Sequence, residues 1–308
     1  MEQAEIDKKY MRRCIQLALN GRRNAKPNPM VGAVLVCEDR IIGEGYHVRC
    51  GEGHAEVNCF ASVKPCDEVL LSKSTLYVSL EPCAHFGRTP PCADLVVRKG
   101  VHRVVVGCVD PFAKVQGRGI QRMREAGIAV TVGVLEAECK ALNRRFFTFH
   151  THRRPYLILK WAQTADGFID DHCRPVAISN DFTRMLCHKL RAENDAILVG
   201  RVTAERDQPQ LNVRDWVGSD PERIVLSHQT SIGEVLHRLY EAGRQSLIVE
   251  GGSKTLQSFL QQGLWDEIRI ETAPLTVGEG TPAPQIPAGA RVVQRHCYDG
   301  NVIMVWEK

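Results

Sequence analysis

The sequence predicts an α/β protein built from two domains, each with a mostly parallel sheet. Its 308 residues are about twice the usual length of one domain, which favours two. Short apolar strand-like runs alternate with stretches of helical periodicity in both halves, a pattern typical of a sheet covered by helices on both faces. Apolar residues make up 44% of the chain, enough for a packed core in each half.

The first half begins with an amphipathic helix over residues 5–20, in which apolar side chains recur at helical spacing. A β-hairpin follows, with strands at Gly32–Cys37 and 41–46 joined by a short charged turn. The remaining elements are predicted to be a helix at 54–61, a strand at Thr75–Leu80, a helix at 94–99, a strand at 101–109, a helix at 120–126, a strand at 128–134 and a charged helix from 135 to about 147.

A polar segment that ends in proline, residues 150–155, marks the point where helical periodicity stops, so the linker is predicted there. The predicted domains are residues 1–149 and 154–308. The second is predicted to contain strands at 156–161, Ala196–Gly200, 223–226, 246–250, Glu267–Thr272, 291–296 and 302–306, with helices at 182–192, 232–242 and 255–261. Asp299-Gly300-Asn301 is the expected hairpin turn between the last two strands.

Charge and hydropathy exclude several classes of function. The formal net charge of +4 is small for this length, and no run of Lys and Arg indicates a nucleic-acid or membrane surface. A small anionic substrate remains compatible with that charge. The amino terminus is charged and lacks a signal-peptide core, and no apolar stretch reaches 18 residues. We therefore expect a cytoplasmic protein whose cysteines are thiols or metal ligands rather than disulfides.

The most informative motif is His54-Ala55-Glu56, followed by Cys83 and Cys92. Imidazole and thiolate are ligands that zinc prefers, and a catalytic zinc site uses three protein ligands and leaves the fourth position to water. In nucleobase deaminases a carboxylate that does not bind the metal moves protons while an activated water attacks an amine-bearing ring carbon. We therefore predict that His54, Cys83 and Cys92 bind Zn²⁺ and that Glu56 is the catalytic carboxylate.

Isolated His and Cys residues are more often core or surface residues, and the chain has 12 cysteines. Cys83 and Cys92 differ from the other cysteines because a proline precedes each of them and both follow a strand-like run. A zinc-stabilised structural or nucleic-acid-binding module is an alternative, but it needs a fourth Cys or His at zinc-finger spacing, which the sequence lacks. Five other cysteines lie in apolar or periodic stretches and are expected to be buried thiols: Cys14, Cys37, Cys59, Cys108 and Cys187.

Longer motifs extend over nearly the whole chain. In the first half they are Pro27-Asn28-Pro29-Met30-Val31-Gly32, Gly45-Tyr46-His47, His54-Ala55-Glu56-Val57-Asn58, Leu80-Glu81-Pro82-Cys83-Ala84-His85, Gly87-Arg88-Thr89-Pro90-Pro91-Cys92 and Asp110-Pro111. In the second half they are Arg154-Pro155-Tyr156, Leu190-Arg191-Ala192-Glu193, Leu211-Asn212-Val213-Arg214 and Val249-Glu250-Gly251-Gly252. Through them the chain resembles the bifunctional riboflavin-biosynthesis deaminase–reductases. The long spacing between the two cysteines is the feature specific to this family, because nucleic-acid and nucleoside deaminases typically place their two cysteines two residues apart.

The resemblance implies a cytidine-deaminase-like αβα first domain that deaminates 2,5-diamino-6-ribosylamino-4(3H)-pyrimidinone 5′-phosphate. Asn28, His47, His85 and Arg88 match positions that hold this substrate in the family. Their chemistry suits the role, since an amide offers donor and acceptor to a base edge, and Arg or His can meet a phosphate or a ring carbonyl. From the residues alone, Asn28 between two prolines can instead shape a turn, and His47 can be structural.

For the second domain the resemblance implies a dihydrofolate-reductase-like α/β fold that reduces the ribosyl side chain to ribityl with NADPH. The matching substrate positions are Lys160, Arg191, Leu211, Arg214 and Glu250. The matching cofactor positions are Ala162, Thr203 and Asp207. Gly251, Gly252 and Ser253 join them as cofactor residues because glycines at a strand-to-helix junction let backbone N–H groups approach a phosphate, although a plain tight turn has the same sequence pattern. No Rossmann glycine motif follows a strand.

Two departures from the family pattern fall in this second domain. Pro175-Val176-Ala177-Ile178-Ser179 replaces a Ser-x-Trp-Ile-Thr stretch and lacks its aromatic residue. After Ser227 the next helix begins almost at once, where the family continues through a further strand, and this shortening is expected to expose a sheet edge. The leading prediction is a two-step enzyme acting on a small phosphorylated pyrimidine; the alternative is an active zinc deaminase with a degenerate, non-reducing second domain. A homo-oligomer is a further expectation from the family, and neither a nucleic-acid nor a membrane partner is expected.

Overall fold

A computed structural model describes residues 2–86, 90–112 and 115–308 of the chain. By its internal contacts the chain divides into two units, Met1–Thr151 and His152–Lys308, each of which has its own sheet and core. None of the helices in the described residues has the length and apolar character that crossing a membrane requires.

The first unit is a five-stranded sheet with helices on both faces. Its elements are α1 (Gln3–Ala18), β1 (Gly32–Cys37), β2 (Arg40–Tyr46), α2 (Ala55–Ala61), β3 (Thr75–Leu80), α3 (Cys92–Lys99), β4 (Arg103–Cys108), α4 (Arg118–Glu125), β5 (Ala129–Val132), α5 (Glu136–Leu142) and α6 (Arg144–His152). The strand order is β2-β1-β3-β4-β5, in which β1 is antiparallel to both neighbours and β3, β4 and β5 are parallel.

Alternation along β1 explains how the sheet is covered on both sides. Ala33 and Leu35 belong to the core cluster beneath α2, α3 and α4, whereas Val34 and Val36 belong to the cluster beneath α1. This two-residue period is what a strand buried on both faces requires. The predicted αβα layering of this half is confirmed.

Three features of the first unit differ from the sequence prediction. The single helix predicted over residues 135–147 is two helices, α5 and α6, which are separated at Asn143. The Asn143 side chain accepts a hydrogen bond from the Met30 amide and donates one to the Met30 carbonyl, both at 2.8 Å. In addition, α6 runs to His152 through part of the predicted linker, and a 3₁₀ segment at Pro65–Lys73 was not predicted.

The second unit is a seven-stranded sheet whose central strands are parallel. Its elements are β6 (Tyr156–Gln163), α7 (Asp181–Ala192), β7 (Ala196–Gly200), α8 (Arg201–Asp207), β8 (Glu222–Leu226), α9 (Ile232–Glu241), β9 (Ser246–Val249), α10 (Ser253–Gln261), β10 (Glu267–Thr272), β11 (Arg291–Tyr298) and β12 (Asn301–Glu307). The order is β11-β12-β10-β6-β9-β7-β8, with β11 and β12 forming an antiparallel hairpin.

Side chains of β6 again alternate between two cores. Leu157 and Leu159 pack with residues of α9 and α10, while Tyr156 and Ile158 pack on the opposite face with Leu190 of α7. The α/β prediction is therefore confirmed in this half as well. The short helix α8 was not predicted, since none of its residues is buried and it carries no apolar period.

The shortened connection after β8 has a clear local explanation. Ser231 accepts a hydrogen bond from the Glu234 amide, and the Glu234 carboxylate accepts one from the Ser231 amide, which forms a capping box. This cap begins α9 only a few residues after Ser227. As expected from the sequence, β8 is left as a sheet edge, and its Val225 side chain is 52% exposed.

Candidate active sites

Three predicted metal ligands converge in the first unit. His54 is the N-cap of α2, Cys92 is the first residue of α3, and Cys83 follows β3 closely. Their ligand atoms all lie within 4.8 Å of one another, and the Nδ1 atom of His54 is 3.6 Å from the Cys83 sulfur and 3.3 Å from the Cys92 sulfur. Zinc bonded to nitrogen at about 2.0 Å and sulfur at about 2.3 Å in a tetrahedron separates those atoms by about 3.6 Å. The arrangement therefore fits a zinc ion.

The two thiols share one proton in a way that prepares them for a cation. A hydrogen bond from Cys92 lowers the pKa of Cys83 to about 4, and the same hydrogen bond together with burial raises the pKa of Cys92. The Cys83 sulfur also accepts the backbone N–H of Cys92 at 3.3 Å. These shifts favour a Cys83 thiolate, and a bound zinc ion would displace the remaining proton from Cys92.

Glu56 lies in the first turn of α2, next to the three ligands, and its side chain is buried. Burial and, to a smaller degree, the nearby Cys83 raise the pKa of Glu56 to about 6, although the nearby His54 opposes the rise. A carboxyl group that titrates near neutral pH can both accept and return a proton. This is the property that a proton carrier in hydrolytic chemistry requires.

His47 and Asn28 form a second polar layer beside His54. The Nδ1 atom of His47 is 3.1 Å from the Gly53 carbonyl oxygen, which only accepts, so Nδ1–H donates there. The Nε2 atom then accepts from the Asn28 amide at 3.1 Å. Burial lowers the pKa of His47, and its ring contacts the His54 ring edge-on with centroids 5.3 Å apart. A neutral His47 therefore holds Asn28 and the segment that leads into His54.

His85 brings an unsatisfied polar atom to the same region. Its Nδ1 atom is buried and makes no hydrogen bond with any of residues 2–86, 90–112 or 115–308. An unpaired buried nitrogen is costly, and a bound ligand that donates or accepts a hydrogen bond removes that cost. Arg88, the remaining predicted substrate residue, lies outside the described residues.

The sequence interpretation assigned no role to two buried carboxylates beside this site, Glu81 and Asp110. The Glu81 carboxylate accepts four backbone N–H bonds at 2.9–3.3 Å, from Asp110, Gly117, Gly119 and Ile120. It therefore ties the end of β3 to Asp110 and to the amino end of α4. Burial raises the pKa of Asp110 to about 7. Glu81 directly follows β3 and Asp110 lies two residues after the end of β4, and polar residues in such positions are the signal that could have identified them.

The predicted reductase residues lie around the carboxyl ends of parallel strands in the second unit. Arg191 of α7 donates to the Glu250 carboxylate from Nη2 at 2.7 Å and from Nε at 3.2 Å, and Glu250 directly follows β9. Burial alone raises the pKa of Glu250, but Lys160 and Arg191 outweigh burial and lower it. Glu250 is therefore a buried carboxylate, and Lys160 and Arg191 are its counter-charges.

The segment that carries Leu211 and Arg214 is attached to this pair. Arg191 donates from Nη1 to the Asn212 carbonyl at 3.3 Å, and the Arg214 guanidinium donates to the Asn212 side chain at 2.9 Å. Leu211 is buried and has a left-handed φ of 54°. The structure therefore brings Arg191, Leu211, Arg214 and Glu250 together.

The structure brings only some of the predicted cofactor residues together. The Gly252 amide donates to the Thr203 hydroxyl at 3.0 Å, and Gly251 packs so closely that an added Cβ would lie 2.5 Å from the Gly200 nitrogen. Packing therefore requires a glycine at position 251, independently of any contact with a cofactor. The Ser253 hydroxyl donates to the Pro282 carbonyl at 2.8 Å. Of the other two, Asp207 pairs with Arg206 at the end of α8, and Ala162 lies opposite Glu271 in the sheet.

Comparison with known proteins agrees with this two-unit organisation. Residues 4–108 match the family described as the cytidine and deoxycytidylate deaminase zinc-binding region. Residues 155–234 and 229–296 match the RibD C-terminal domain. The two segments of the second match meet at the shortened connection between β8 and α9.

Individual relatives cover most of the chain. The riboflavin biosynthesis protein RibD of Aquifex aeolicus (strain VF5) is 39% identical over 90% of this chain and 89% of its own length. The protein of the same name from Actinobacillus pleuropneumoniae is 35% identical over 94% of this chain and 89% of its own length. The crystal structure of a diaminohydroxyphosphoribosylaminopyrimidine deaminase/5-amino-6-(5-phosphoribosylamino)uracil reductase from Thermotoga maritima is 33% identical, with a TM-score of 0.89 over 99% of both chains. The chain belongs to the family of riboflavin biosynthesis proteins RibD.

Proposed function

We propose that this protein catalyses two successive steps of riboflavin biosynthesis. The first is zinc-dependent hydrolytic deamination of 2,5-diamino-6-ribosylamino-4(3H)-pyrimidinone 5′-phosphate. The second is NADPH-dependent reduction of the ribosyl side chain of the product, which gives 5-amino-6-ribitylamino-uracil 5′-phosphate. The convergence of His54, Cys83 and Cys92 beside Glu56 is the observation that carries the proposal. The Thermotoga maritima relative, whose name states both activities, supports it.

In the first step the protein supplies ligands, orientation and a proton carrier. A zinc ion held by His54, Cys83 and Cys92 would acidify a bound water, so that a nucleophile forms at neutral pH. Glu56 would take the proton of the attacking water and pass it to the departing amino group, so that ammonia leaves and a ring carbonyl remains. Asn28 and His47 would hold the pyrimidine edge, and His85, together with Arg88, would meet the phosphate or a ring carbonyl.

In the second step the ribosyl ring would open to an imine between C1′ and the amino nitrogen, with O4′ becoming a hydroxyl. Bound NADPH would supply a hydride to C1′, and the imine nitrogen would take a proton. Lys160, Arg191, Leu211, Arg214 and Glu250 are the proposed substrate contacts. The proposed cofactor contacts are Ala162, Thr203, Asp207, Gly251, Gly252 and Ser253. Thr203 and Gly252 already contact each other at the amino end of α10, where backbone N–H groups favour a phosphate. We assign deamination to residues 1–149 and reduction to residues 154–308, in a cytoplasmic enzyme that forms homo-oligomers.

Metal content tests the first half of the proposal. Purified protein is expected to bind about one zinc ion per chain, because three ligands and one open position define a single catalytic site. Cys92→Ser should lose most of that zinc and release no ammonia. Cys66→Ser, which changes an exposed cysteine, should keep both. A Cys92→Ser protein that retains stoichiometric zinc and full activity would contradict the assignment.

Oxidation of NADPH tests the proposed reduction step. The domain assigned to this step is the one in which the sequence departs from the family pattern. Full-length protein supplied directly with the deaminated intermediate is expected to oxidise NADPH, measured as loss of absorbance at the nicotinamide band. The shortened connection after Ser227 lies at the β8 edge, whereas three of the proposed substrate contacts, Arg191, Lys160 and Glu250, lie on α7, on β6 and at the end of β9. A protein that deaminates normally but oxidises no NADPH would instead establish the degenerate second domain, which the comparisons do not favour.

A further inference from the structure

A buried histidine of α7 contacts the segment that carries two of the proposed substrate contacts, Leu211 and Arg214. The His188 side chain is only 1% exposed, and the sequence interpretation assigned it no role. Its Nδ1 atom is 2.9 Å from the carbonyl oxygen of Asn212, and its Nε2 atom is 3.2 Å from the Oδ2 atom of Asp215. The two ring nitrogens therefore contact the 211–215 segment at two points.

The surroundings of His188 determine how many protons its ring carries. Burial, Arg191 and Arg214 lower the pKa of His188, whereas the Asn212 carbonyl and Asp215 oppose that shift. The ring is therefore neutral at neutral pH and has a single N–H group.

The contact with the Asn212 carbonyl places that N–H on Nδ1. A carbonyl oxygen only accepts, and a proton on Nε2 would leave two acceptors, Nδ1 and the carbonyl oxygen, 2.9 Å apart. The Arg214 amide, 3.5 Å from Nδ1, is too distant to favour that alternative. Nδ1–H of His188 therefore donates to Asn212. The lone pair of Nε2 then faces the Asp215 carboxylate, and no hydrogen bond forms there at neutral pH.

The peptide unit that His188 contacts is held at both of its polar groups. Its carbonyl, from Asn212, also accepts a hydrogen bond from Nη1 of Arg191 at 3.3 Å. Its N–H, from Val213, donates to the Asp220 carboxylate at 2.7 Å. This peptide unit lies between the two proposed substrate contacts, so the bonds to it determine where both of those side chains lie.

The backbone next to this peptide unit is strained. Leu211 has a φ of 54°, which a residue with a bulky side chain rarely adopts. Such a conformation persists only where neighbouring groups hold it, and it is typical of ligand-binding segments. Arg191 is shared with Glu250, to which it donates at 2.7 Å, whereas His188 gives its one N–H to the Asn212 carbonyl.

We propose that His188 is a positioning residue of the reductase site, which holds the 211–215 segment in its substrate-binding conformation through the Asn212 carbonyl. The inference rests on the proposed reduction step, because Leu211 and Arg214 are contacts to the substrate of that step. His188 acts through these two residues and not on the substrate itself. Its loss should therefore weaken substrate binding more than it slows the hydride transfer.

Two amide variants of the full-length protein test the role of Nδ1. The side-chain nitrogen of Asn is bonded to Cγ, as Nδ1 is, whereas that of Gln lies one bond farther from the backbone. His188→Asn should therefore keep the KM for the deaminated pyrimidine close to the wild-type value. His188→Gln fills more of the buried volume but has no donor at the Nδ1 position. Its KM should rise about 3- to 10-fold, the factor that one net hydrogen bond contributes, and its kcat should change little.

Two further variants serve as controls. Asp215→Asn changes the group that faces Nε2 and should leave KM unchanged at neutral pH, because the neutral ring makes no hydrogen bond to it. His237→Asn changes an exposed histidine of α9 and should also have no effect. If KM rises equally in His188→Asn and His188→Gln, or stays at the wild-type value in both, the proposed role of Nδ1 is wrong.

Hydrogen exchange tests the attachment of the segment without catalysis. Backbone amides of residues 211–215 should exchange faster in His188→Gln than in wild type or His188→Asn, because the lost contact allows local opening. The rest of the second unit should exchange equally in the two variants. Unchanged exchange of residues 211–215 in His188→Gln would overturn the inference. Wild-type protein that oxidises no NADPH would contradict the proposed reduction, and the exchange rates would still decide whether His188 holds the segment.

Discussion

Replacing Glu56 by Gln is expected to stop ammonia release while the protein keeps its zinc. The amide has nearly the shape of the carboxylate and leaves the ligands His54, Cys83 and Cys92 unchanged, but it cannot accept a proton from water. Loss of a general acid–base group lowers rates by about 10²- to 10⁴-fold. Ammonia release and zinc content measured on the same preparation check both parts of the prediction.

A matched control separates this chemical effect from a change in local charge. Glu52→Gln alters an exposed carboxylate close to His54 in the sequence and should deaminate normally. NADPH oxidation by the Glu56→Gln protein, supplied with the deaminated intermediate, should also be normal, because that step belongs to the second unit. If the variant loses zinc and then deaminates at the wild-type rate once zinc is restored, Glu56 is a determinant of metal binding and carries no proton.

The convergence of His54, Cys83 and Cys92 could be anticipated from the sequence because these residues lie in short motifs next to regular elements. His54 and Glu56 open α2, and Cys92 opens α3, so local spacing already restricts where their side chains can lie. The role of Glu81 could not be predicted in the same way. Its four hydrogen bonds join it to residues 29–39 positions away, and their geometry exists only after β3, β4 and α4 have packed.

The same difference between local and long-range contacts explains which parts of the fold could be predicted correctly. Strands buried on both faces, such as Ala196–Gly200, were predicted to the residue because their apolar runs are bounded by polar or helix-starting residues. The break between α5 and α6 was missed because it depends on the contact of Asn143 with Met30, 113 positions away. The contact of His188 with Asn212 likewise joins residues 24 positions apart, which periodicity does not bring together.

Replacing Glu250 by Gln is expected to destabilise the second unit and to abolish NADPH oxidation. The side chains of Arg191 and Glu250 are only 13% and 8% exposed, so the variant leaves a buried guanidinium without its counter-charge. Removal of one partner from such a pair costs about 3–5 kcal/mol of unfolding free energy. In urea the second unit should unfold at a lower midpoint concentration, while ammonia release by the first unit stays unchanged.

A second variant distinguishes the structural role of this pair from its proposed role in binding. Glu250→Gln combined with Arg191→Met removes both charges, and most of the lost stability should return because no unpaired ion remains. NADPH oxidation should stay absent, since both side chains are proposed substrate contacts. Glu222→Gln, which breaks the exposed pair with Arg244, should cost less than about 1 kcal/mol. If the double variant regains reductase activity together with its stability, the Arg191–Glu250 pair supports only the fold, and the substrate contacts lie elsewhere.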